Sequence, residues 1–467
     1  MISWNYCQVL LKEVSSEGFL LHKKIPPNLP LQKGGTIPLF GKEGRGEIFM
    51  SHFTIRCRKC GKELKDVYCA FCEHCKDSLL ITEYKEKEFR DDRGDGVWGF
   101  NWLPVHTHAF VQPGPVVYRS KGLASYLGLE NLYIVFNGYW PEMGALLETC
   151  TFKEFEAAVV MQNAMENSVK GLIVASAGNT ARAFAHLSVV AGFPVIIVVP
   201  TMCLTEMWYL ESSSMVPTLA VGDGDYSDSI DVAKRISAVY GFPFEGGVKN
   251  IAKRDGLGAV LLKAVSEMGR LPDHYFQAVG SGTGAIGVWE MSERFIRDGR
   301  FGSQHPRLHL AQNFPFGPMV KAWWKDSREL SPEDLRPELI GEITTRVLST
   351  RYPAYSLTGG LYDALKATNG MMYGIKNEDV FSGMDLFEKT EGIDIVPAAG
   401  VAVAALREAV NIRAVRSVDS ILLNITGGGE KRLGREKRLH NVEPRFISKK
   451  ITETEIEELL CNTLKKN

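Results

Sequence analysis

The sequence predicts an α/β fold of open parallel sheets preceded by a small cysteine-rich unit, and three observations carry that prediction. Apolar runs alternate with helix-like stretches from about residue 110 onward, the order that builds parallel sheets through crossover helices. Three of those runs, Gly171–Ala175, Tyr275–Val279 and Ile421–Ile425, enter turns rich in Gly, Ser, Thr and Asn. Ahead of the alternation stand two Cys-x-x-Cys pairs, Cys57/Cys60 and Cys72/Cys75.

Composition bounds what such a chain can do. Its 467 residues exceed what one core comfortably holds, about 250–300 residues, so two or three domains are expected. Lys and Arg number 54 against 55 Asp and Glu, a net charge of −1, which argues against a nucleic-acid-binding protein held by charge. The apolar run Pro194–Pro200 (PVIIVVP) is too short to cross a bilayer and reads as a buried strand. The N-terminus shows no basic head followed by an apolar run and a small-residue cleavage site, so no secretory signal, no membrane association and a cytoplasmic location are expected. Five of the nine cysteines lie between Cys57 and Cys75, a clustering that favours a metal over disulfides.

Residues 1–49 carry scattered Gly and Pro without a sustained period and read as a poorly structured extension. Met50 directly precedes the first motif, which leaves two readings open: a disordered arm, or translation that begins at Met50. Residues 50–90 read as a zinc ribbon. Each Cys-x-x-Cys places two thiolates on one turn, and Cys57, Cys60, Cys72 and Cys75 together supply four sulfurs for tetrahedral coordination. Gly61 follows the first pair, where the knuckle needs a positive φ. Cys69 offers a competing pair with Cys72 and is expected to be left out. The zinc is given a structural role only.

Residues 91–440 hold the alternating elements, read as two α/β subdomains, and residues 441–467 read as a helical tail. Gly171–Ala175, the turn Ser176-Ala-Gly-Asn-Thr180, a helix over 181–190 and the strand Val195–Val199 form a complete βαβ unit. Tyr275–Val279 enters Gly280-Ser-Gly-Thr-Gly284 and a helix through Phe295, and Ile421–Ile425 enters Thr426-Gly-Gly-Gly429. Ligands of open α/β sheets bind outside the carboxyl ends of strands, so these turns imply a sizeable polar ligand. Gly282-x-Gly284-x-x-Gly287 formally matches a dinucleotide fingerprint. The next strand ends Leu310-Ala311-Gln312 without the acidic residue that a ribose needs, and a phosphate cup at a helix N-terminus is the better reading.

Taken together, Ser176–Thr180, a lysine 26 residues before Asn179, the Gly280–Gly284 loop and Thr426–Gly429 resemble the tryptophan-synthase-β-like (fold type II) pyridoxal-phosphate enzymes. The ribbon and Asn250-x-x-x-Arg254-Asp-Gly256 narrow the resemblance to threonine synthases, over roughly residues 51–430. Two segments depart from these: Glu148-Thr-Cys-Thr-Phe-Lys153-Glu-Phe-Glu156 replaces the usual Asn-Pro-Thr-Gly-Ser-Phe-Lys-Asp-Arg, and the lead-in from Phe136 to Gly144 is also different. Both resemble the cysteate synthases, threonine-synthase paralogues of methanogenic archaea. That resemblance implies β-replacement of the phosphate of O-phospho-L-serine by sulfite, giving L-cysteate on a route to coenzyme M. The rival within the class is threonine synthase acting on O-phosphohomoserine. From another class, the ribbon permits a nucleic-acid-binding protein, which the net charge opposes.

The resemblance also implies roles. Lys153 would bind the pyridoxal 5'-phosphate aldehyde and act as general base; a lysine is needed for the imine, and burial must lower its pKa. Asn179 would hold the ring oxygen O3′. Gly280, Ser281, Gly282, Thr283 and Gly284 would cradle the cofactor phosphate, and Thr426 would meet the pyridine nitrogen. Ser176, Ala177 and Gly178 would bind the substrate carboxylate, with Lys249, Lys253 and Arg254 as candidate cations for the anionic reactants. Cys150 and Thr151, where threonine synthases have Gly-Ser, are expected to add bulk that excludes the longer substrate. Small-molecule partners and a homo-oligomeric assembly are expected, without nucleic acid.

Overall fold

The strand Val195–Pro200 (VIIVVP) is buried at every position, as a central parallel strand covered on both faces must be. It is seen in a computed structural model that describes residues 51–464 apart from 66, 67, 69, 70, 93, 95 and 212–214. The expectations for the 1–49 extension, for a start at Met50 and for Cys69 lie outside the described residues.

Val195–Pro200 sits inside a four-stranded sheet whose order is Arg445–Ser448, Thr218–Gly222, Val195–Pro200, Leu172–Ala175, all parallel. The helix Asn179–Ala191 makes the crossover from Leu172–Ala175 to Val195–Pro200. The edge strand Arg445–Ser448 belongs to the stretch read as a helical tail, which therefore opens with a strand before the helix Glu453–Leu464. Only one of its four residues is buried, so it carries no apolar run that would mark it as a strand.

The second sheet has six strands in the order Met371–Ile375, Arg307–Asn313, His274–Ala278, Ser420–Ile425, Asn131–Phe136, Val116–Arg119. Every pairing is parallel except the last, an antiparallel edge. Helices Lys153–Glu166 and Thr283–Asp298 both pack against Ile251–Met268, and the three contribute Phe155, Phe295 and Leu261 to one apolar core. Helix Pro397–Asn411 lies over the strands of the six-stranded sheet, with Val401, Val403 and Leu406 in a second core. These are the two open parallel sheets expected.

Phe53–Cys57 pairs antiparallel with Glu63–Leu64 and with Leu80–Tyr84, forming a small sheet that carries the cysteine knuckles. That sheet is docked on the α/β body. Tyr84 donates its hydroxyl to Asp255 at 2.7 Å, Arg58 bonds Glu293 at 2.7 Å and lies 4.3 Å from the Trp289 ring centre, and Arg254 donates to the Leu80 carbonyl. Among the described residues no helix is long and apolar enough to cross a membrane.

Candidate active site

Lys153 opens the helix Lys153–Glu166, and the residues before it are pinned to the end of the six-stranded sheet. Phe152 donates its N–H to the Thr426 carbonyl at 3.1 Å, Gly428 donates to the Cys150 carbonyl at 3.1 Å, and Thr151 faces Gly427 in an isolated bridge. Buried Glu154 accepts from the Thr149 N–H at 2.6 Å and its hydroxyl at 2.7 Å, closing the loop from below. Cys150 has φ 56°, a left-handed conformation that a glycine adopts without cost, which explains why the related motif carries Gly there. Its side chain packs with Tyr139 and Leu433. The bulk expected from Cys150 in the substrate space is therefore taken up by that apolar cluster, and Thr151 turns its hydroxyl to the Thr426 carbonyl at 3.3 Å.

Around Lys153 the chain builds a buried charge cluster. Nζ lies 2.9 Å from Glu156 Oε2, one helical turn on, and the lysine side chain is 21% exposed while that of Glu156 is 0%. Glu156 Oε1 accepts from the Thr180 hydroxyl at 2.7 Å and meets Lys253 Nζ at 3.2 Å. Lys253 in turn lies 2.9 Å from Glu245. Two ammonium groups and two carboxylates thus balance one another, with Lys153 the member that keeps some access to water. Burial pushes Lys153 below the ordinary lysine range, with Glu156 opposing and Lys253 assisting. Burial alone would raise Glu156, but the flanking ammonium groups of Lys153 and Lys253 outweigh it and hold the carboxyl low. Lys253 also loses hydration, yet Glu156 and Glu245 raise it, so it stays charged.

The two polar turns converge on the same space. In the first, Ser176 Oγ accepts from the N–H groups of Gly178 and Ala181, each at 3.0 Å. Gly178 has φ 146°, a region open only to glycine, and a Cβ there would stand 3.2 Å from Val347. In the second, Ser281 Oγ and Thr283 Oγ1 lie 2.7 Å apart, and Gly282 has φ 86°. A Cβ at Gly280 would stand 3.0 Å from Leu348, next to Val347, and one at Gly284 would stand 3.3 Å from the Phe152 ring beside Lys153. The Val347–Leu348 segment therefore borders both turns, the second turn meets Phe152 beside Lys153, and the first reaches Lys153 through Thr180 and Glu156.

What each group leaves unpaired defines the donor set. Among the described residues, the N–H groups of Gly280, Ser281, Gly282 and Gly284 meet no protein acceptor. Neither do the N–H groups of Ala177 and Asn179, whereas that of Gly178 is spent on Ser176. Thr426 is 5% exposed, and its hydroxyl has no protein partner among the described residues. Asn179 uses its oxygen to accept from Arg182 at 2.6 Å. Of the candidate cations, Lys253 lies one carboxylate away from Lys153. Arg254 is fully enclosed against Glu290 at 3.0 Å, and Lys249 reaches the Lys76 carbonyl at 3.3 Å. Glu156, Thr180, Glu245 and Arg182 were not singled out by the sequence. The spacing of Glu156 from Lys153 and of Arg182 from Asn179, three residues in each case, is the signal that was there to find.

At the other end of the chain's chemistry, the Sγ atoms of Cys57, Cys60, Cys72 and Cys75 all lie within 4.8 Å of one another. Cys60 and Cys72 are 3.8 Å apart. A tetrahedron with Zn–S bonds of about 2.3 Å has edges of about 3.8 Å, so this thiol group fits a structural zinc. The knuckle glycine Gly61 has φ 70°, as its place after Cys60 requires.

Comparison with known proteins gives this geometry a family. Residues 126–427 match the family described as pyridoxal-phosphate dependent enzyme. The solved structure of maize serine racemase superposes with a TM-score of 0.50 over 68% of this chain and 90% of its own, at 14% identity. The serine racemase of Dictyostelium discoideum does so with a TM-score of 0.50 over 67% and 92%, at 15% identity. These two likenesses concern the fold alone, and together with the family match they define a pyridoxal-phosphate-dependent enzyme of fold type II. Among sequence relatives, the cysteate synthase of Methanosarcina acetivorans is 47% identical over 85% of this chain and 96% of its own length. That of Methanocella arvoryzae is 47% identical over 85% and 95%, and that of Methanosarcina mazei 46% over 88% and 100%. The chain belongs to the cysteate synthase family.

The residues present fit the cofactor that this family uses. A row of free N–H groups at the start of the helix Thr283–Asp298 suits a phosphate dianion. Asn179 has free amide hydrogens for a ring oxygen, Thr426 a free hydroxyl for a ring nitrogen, and Lys153 an amine whose pKa burial depresses.

Proposed function

We propose that this enzyme converts O-phospho-L-serine and sulfite to L-cysteate and phosphate, and that Lys153 is its catalytic lysine. The observation that carries the reading is the half-shielded Lys153 amine, set among free donors that suit phosphate, ring oxygen and ring nitrogen, in a chain nearly half identical to cysteate synthases. Coenzyme M formation is the route that such a product would serve.

Gly280, Ser281, Gly282, Thr283 and Gly284 hold the cofactor phosphate through backbone N–H and hydroxyl groups, aided by the positive end of the helix they begin. Asn179 donates to the ring oxygen and Thr426 to the ring nitrogen. When bound, pyridoxal phosphate supplies the electron sink for the pair left on the substrate α-carbon. The substrate carboxylate is met by the Ser176 hydroxyl hydrogen and by the Ala177 N–H; Gly178 shapes this turn through its φ and spends its own N–H on Ser176. Lys153, neutral once freed, takes the proton from the α-carbon. Glu156 and Lys253 keep the amine placed and deliver a charge-balanced surrounding for its proton. With that proton gone, the C–O bond from the β-carbon to phosphate breaks, and sulfite forms the new C–S bond at the same carbon. Lys153 returns the proton to the α-carbon.

The test is a product assay. Purified protein is given phosphoserine with sulfite and, separately, phosphohomoserine, and the amino acids are separated by chromatography. Cysteate from the first and no more than trace threonine from the second is expected. Threonine as the main product with cysteate absent would replace this reading by threonine synthase.

A further inference from the structure

Asn179 begins the helix Asn179–Ala191, and Arg182 stands three residues on, the spacing that brings side chains on a helix together. Arg182 is held from three sides. Its Nη2 donates to Asn179 Oδ1 at 2.6 Å, and its Nη1 donates to Glu430 Oε1 at 2.7 Å. The guanidinium carbon lies 4.5 Å from the centre of the Trp208 ring. The arginine side chain is only 5% exposed. Glu430 directly follows the Thr426–Gly429 loop, so one buried guanidinium joins the first turn of the four-stranded sheet to the last loop of the six-stranded one.

A guanidinium carries donors and no acceptor. The atom of the Asn179 amide that faces it must therefore be the oxygen, because the reverse orientation would set N–H against N–H in a place with little water. Fixing the oxygen inward fixes both amide hydrogens outward, and among the described residues no protein acceptor meets them there. A free asparagine has no such preference, and turned over it would put its oxygen against an anionic oxygen of the ligand.

We propose that Arg182 is a positioning residue that locks the Asn179 amide so that its N–H groups, and not its oxygen, face the ring oxygen of the bound cofactor. The proposal rests on the reading of Asn179 as a cofactor ligand. Glu430 and Trp208 are the groups that hold Arg182 in turn.

The experiment is a double-mutant cycle on the holoenzyme with Asn179→Ala, Arg182→Met and the pair combined. It reads the pH midpoint of the cofactor's visible absorbance band and the cofactor dissociation constant from titration of resolved enzyme. A hydrogen bond to a charged group is worth at least about tenfold in affinity. Arg182→Met is therefore expected to weaken cofactor binding by about tenfold and to move the midpoint in the same direction as Asn179→Ala. In the Asn179→Ala background it should add less than about twofold, a non-additivity that a merely structural role would not produce. If Asn179→Ala moves both readouts and Arg182→Met moves neither, the proposal fails while Asn179 stays a ligand. If the effects add in full, Arg182 acts independently and the proposal also fails. If Asn179→Ala moves neither readout, the reading of Asn179 falls and takes the proposal with it. Should Arg182→Met not fold, Arg182→Lys carries the same cycle, since one ammonium cannot satisfy Glu430 and Asn179 in two directions at once.

Discussion

The two glycine-bearing turns, Ser176–Thr180 and Gly280–Gly284, look alike in the sequence and differ in what they do with their hydrogen bonds. Both follow a buried parallel strand and start a helix. In the first, a serine caps the turn from inside by accepting from Gly178 and Ala181, Thr180 ties it to Glu156, and Asn179 is tied to Arg182. In the second, Ser281 and Thr283 bond chiefly each other, and the backbone N–H groups of Gly280, Ser281, Gly282 and Gly284 meet no acceptor among the described residues. A phosphate dianion needs many donors that no protein group competes for, which the second turn supplies. A carboxylate or a ring oxygen needs a few donors in fixed directions, and side chains spent on fixing the turn supply that. The division of labour is a matter of which donors are left over, not of composition.

The largest effect should come from the residue both turns face. Lys153→Ala should remove cysteate formation by at least about a thousandfold, as loss of both base and covalent attachment implies, while the melting temperature stays near the parent's. The same variant should lose the visible band of bound cofactor. A reduced and digested holoenzyme whose labelled peptide carries another lysine would move the chemistry away from the space between the turns.

Next comes the ribbon, which braces the helix that starts at the second turn. Arg58 bonds Glu293 and stacks on Trp289 within Thr283–Asp298. Apparent binding energies of structural zinc are about 10–16 kcal/mol, so Cys75→Ser should lose the metal and cost more than about 3 kcal/mol in denaturant unfolding. Because that bracing reaches the helix that starts at the second turn, cofactor affinity should fall before the substrate KM rises. Metal analysis showing one zinc per parent chain and none in the variant is the check, and a variant that keeps its zinc would break the assigned ligand set.

The glycines themselves sharpen the contrast. Gly282→Ala forces a side chain into φ 86° with its Cβ 3.1 Å from Leu361, at a cost of about 1–2 kcal/mol, and should weaken cofactor binding about tenfold with little change in substrate KM. Gly178→Ala forces φ 146°, worth about 1–3 kcal/mol, and should raise the substrate KM about tenfold or more with cofactor affinity nearly kept. Identical profiles for the two variants would mean that the turns do not divide the ligands between them.

Much of this was legible in the sequence, and the reasons for the rest are physical. Apolar runs marked the strands Leu172–Ala175, Val195–Pro200, His274–Ala278 and Ser420–Ile425, because a strand buried on both faces must be apolar throughout, although the inner strand Thr218–Gly222 was not marked. The edge strands Val116–Arg119 and Arg445–Ser448 went unmarked, since each is at most partly buried and has no continuous run. Lys153, Asn179 and the cysteine knuckles stood out through short-range spacing. Glu156 did not, and Lys253 was read only as a candidate substrate cation, because charged residues on a helix ordinarily face water, and only the packing of two helices far apart in sequence turns them into a buried pair. Arg254 read as a candidate substrate cation for the same reason and is instead enclosed against Glu290. Cys150 read as bulk in the substrate space, but a left-handed backbone turns its side chain into the Tyr139–Leu433 cluster.

The smallest effect expected is also the one that tests the comparison most directly. Ser176→Ala deletes a cap that satisfies two backbone N–H groups, each at 3.0 Å, at the start of a buried helix. Loss of such a cap costs about 1 kcal/mol of stability. Ser281→Ala deletes a hydroxyl whose partners are another hydroxyl at 2.7 Å and one N–H at 3.4 Å, a poor bond, so stability should change by no more than about 0.5 kcal/mol. Cofactor affinity should respond the other way round. Ser281→Ala removes a donor from the phosphate cradle and should cost severalfold, while Ser176→Ala leaves that cradle whole. Urea unfolding of the cofactor-free chain separates the first quantity, and cofactor titration the second. If Ser281→Ala destabilises the cofactor-free chain as much as Ser176→Ala does, the second turn is held by its own side chains after all, and free donors no longer distinguish the two.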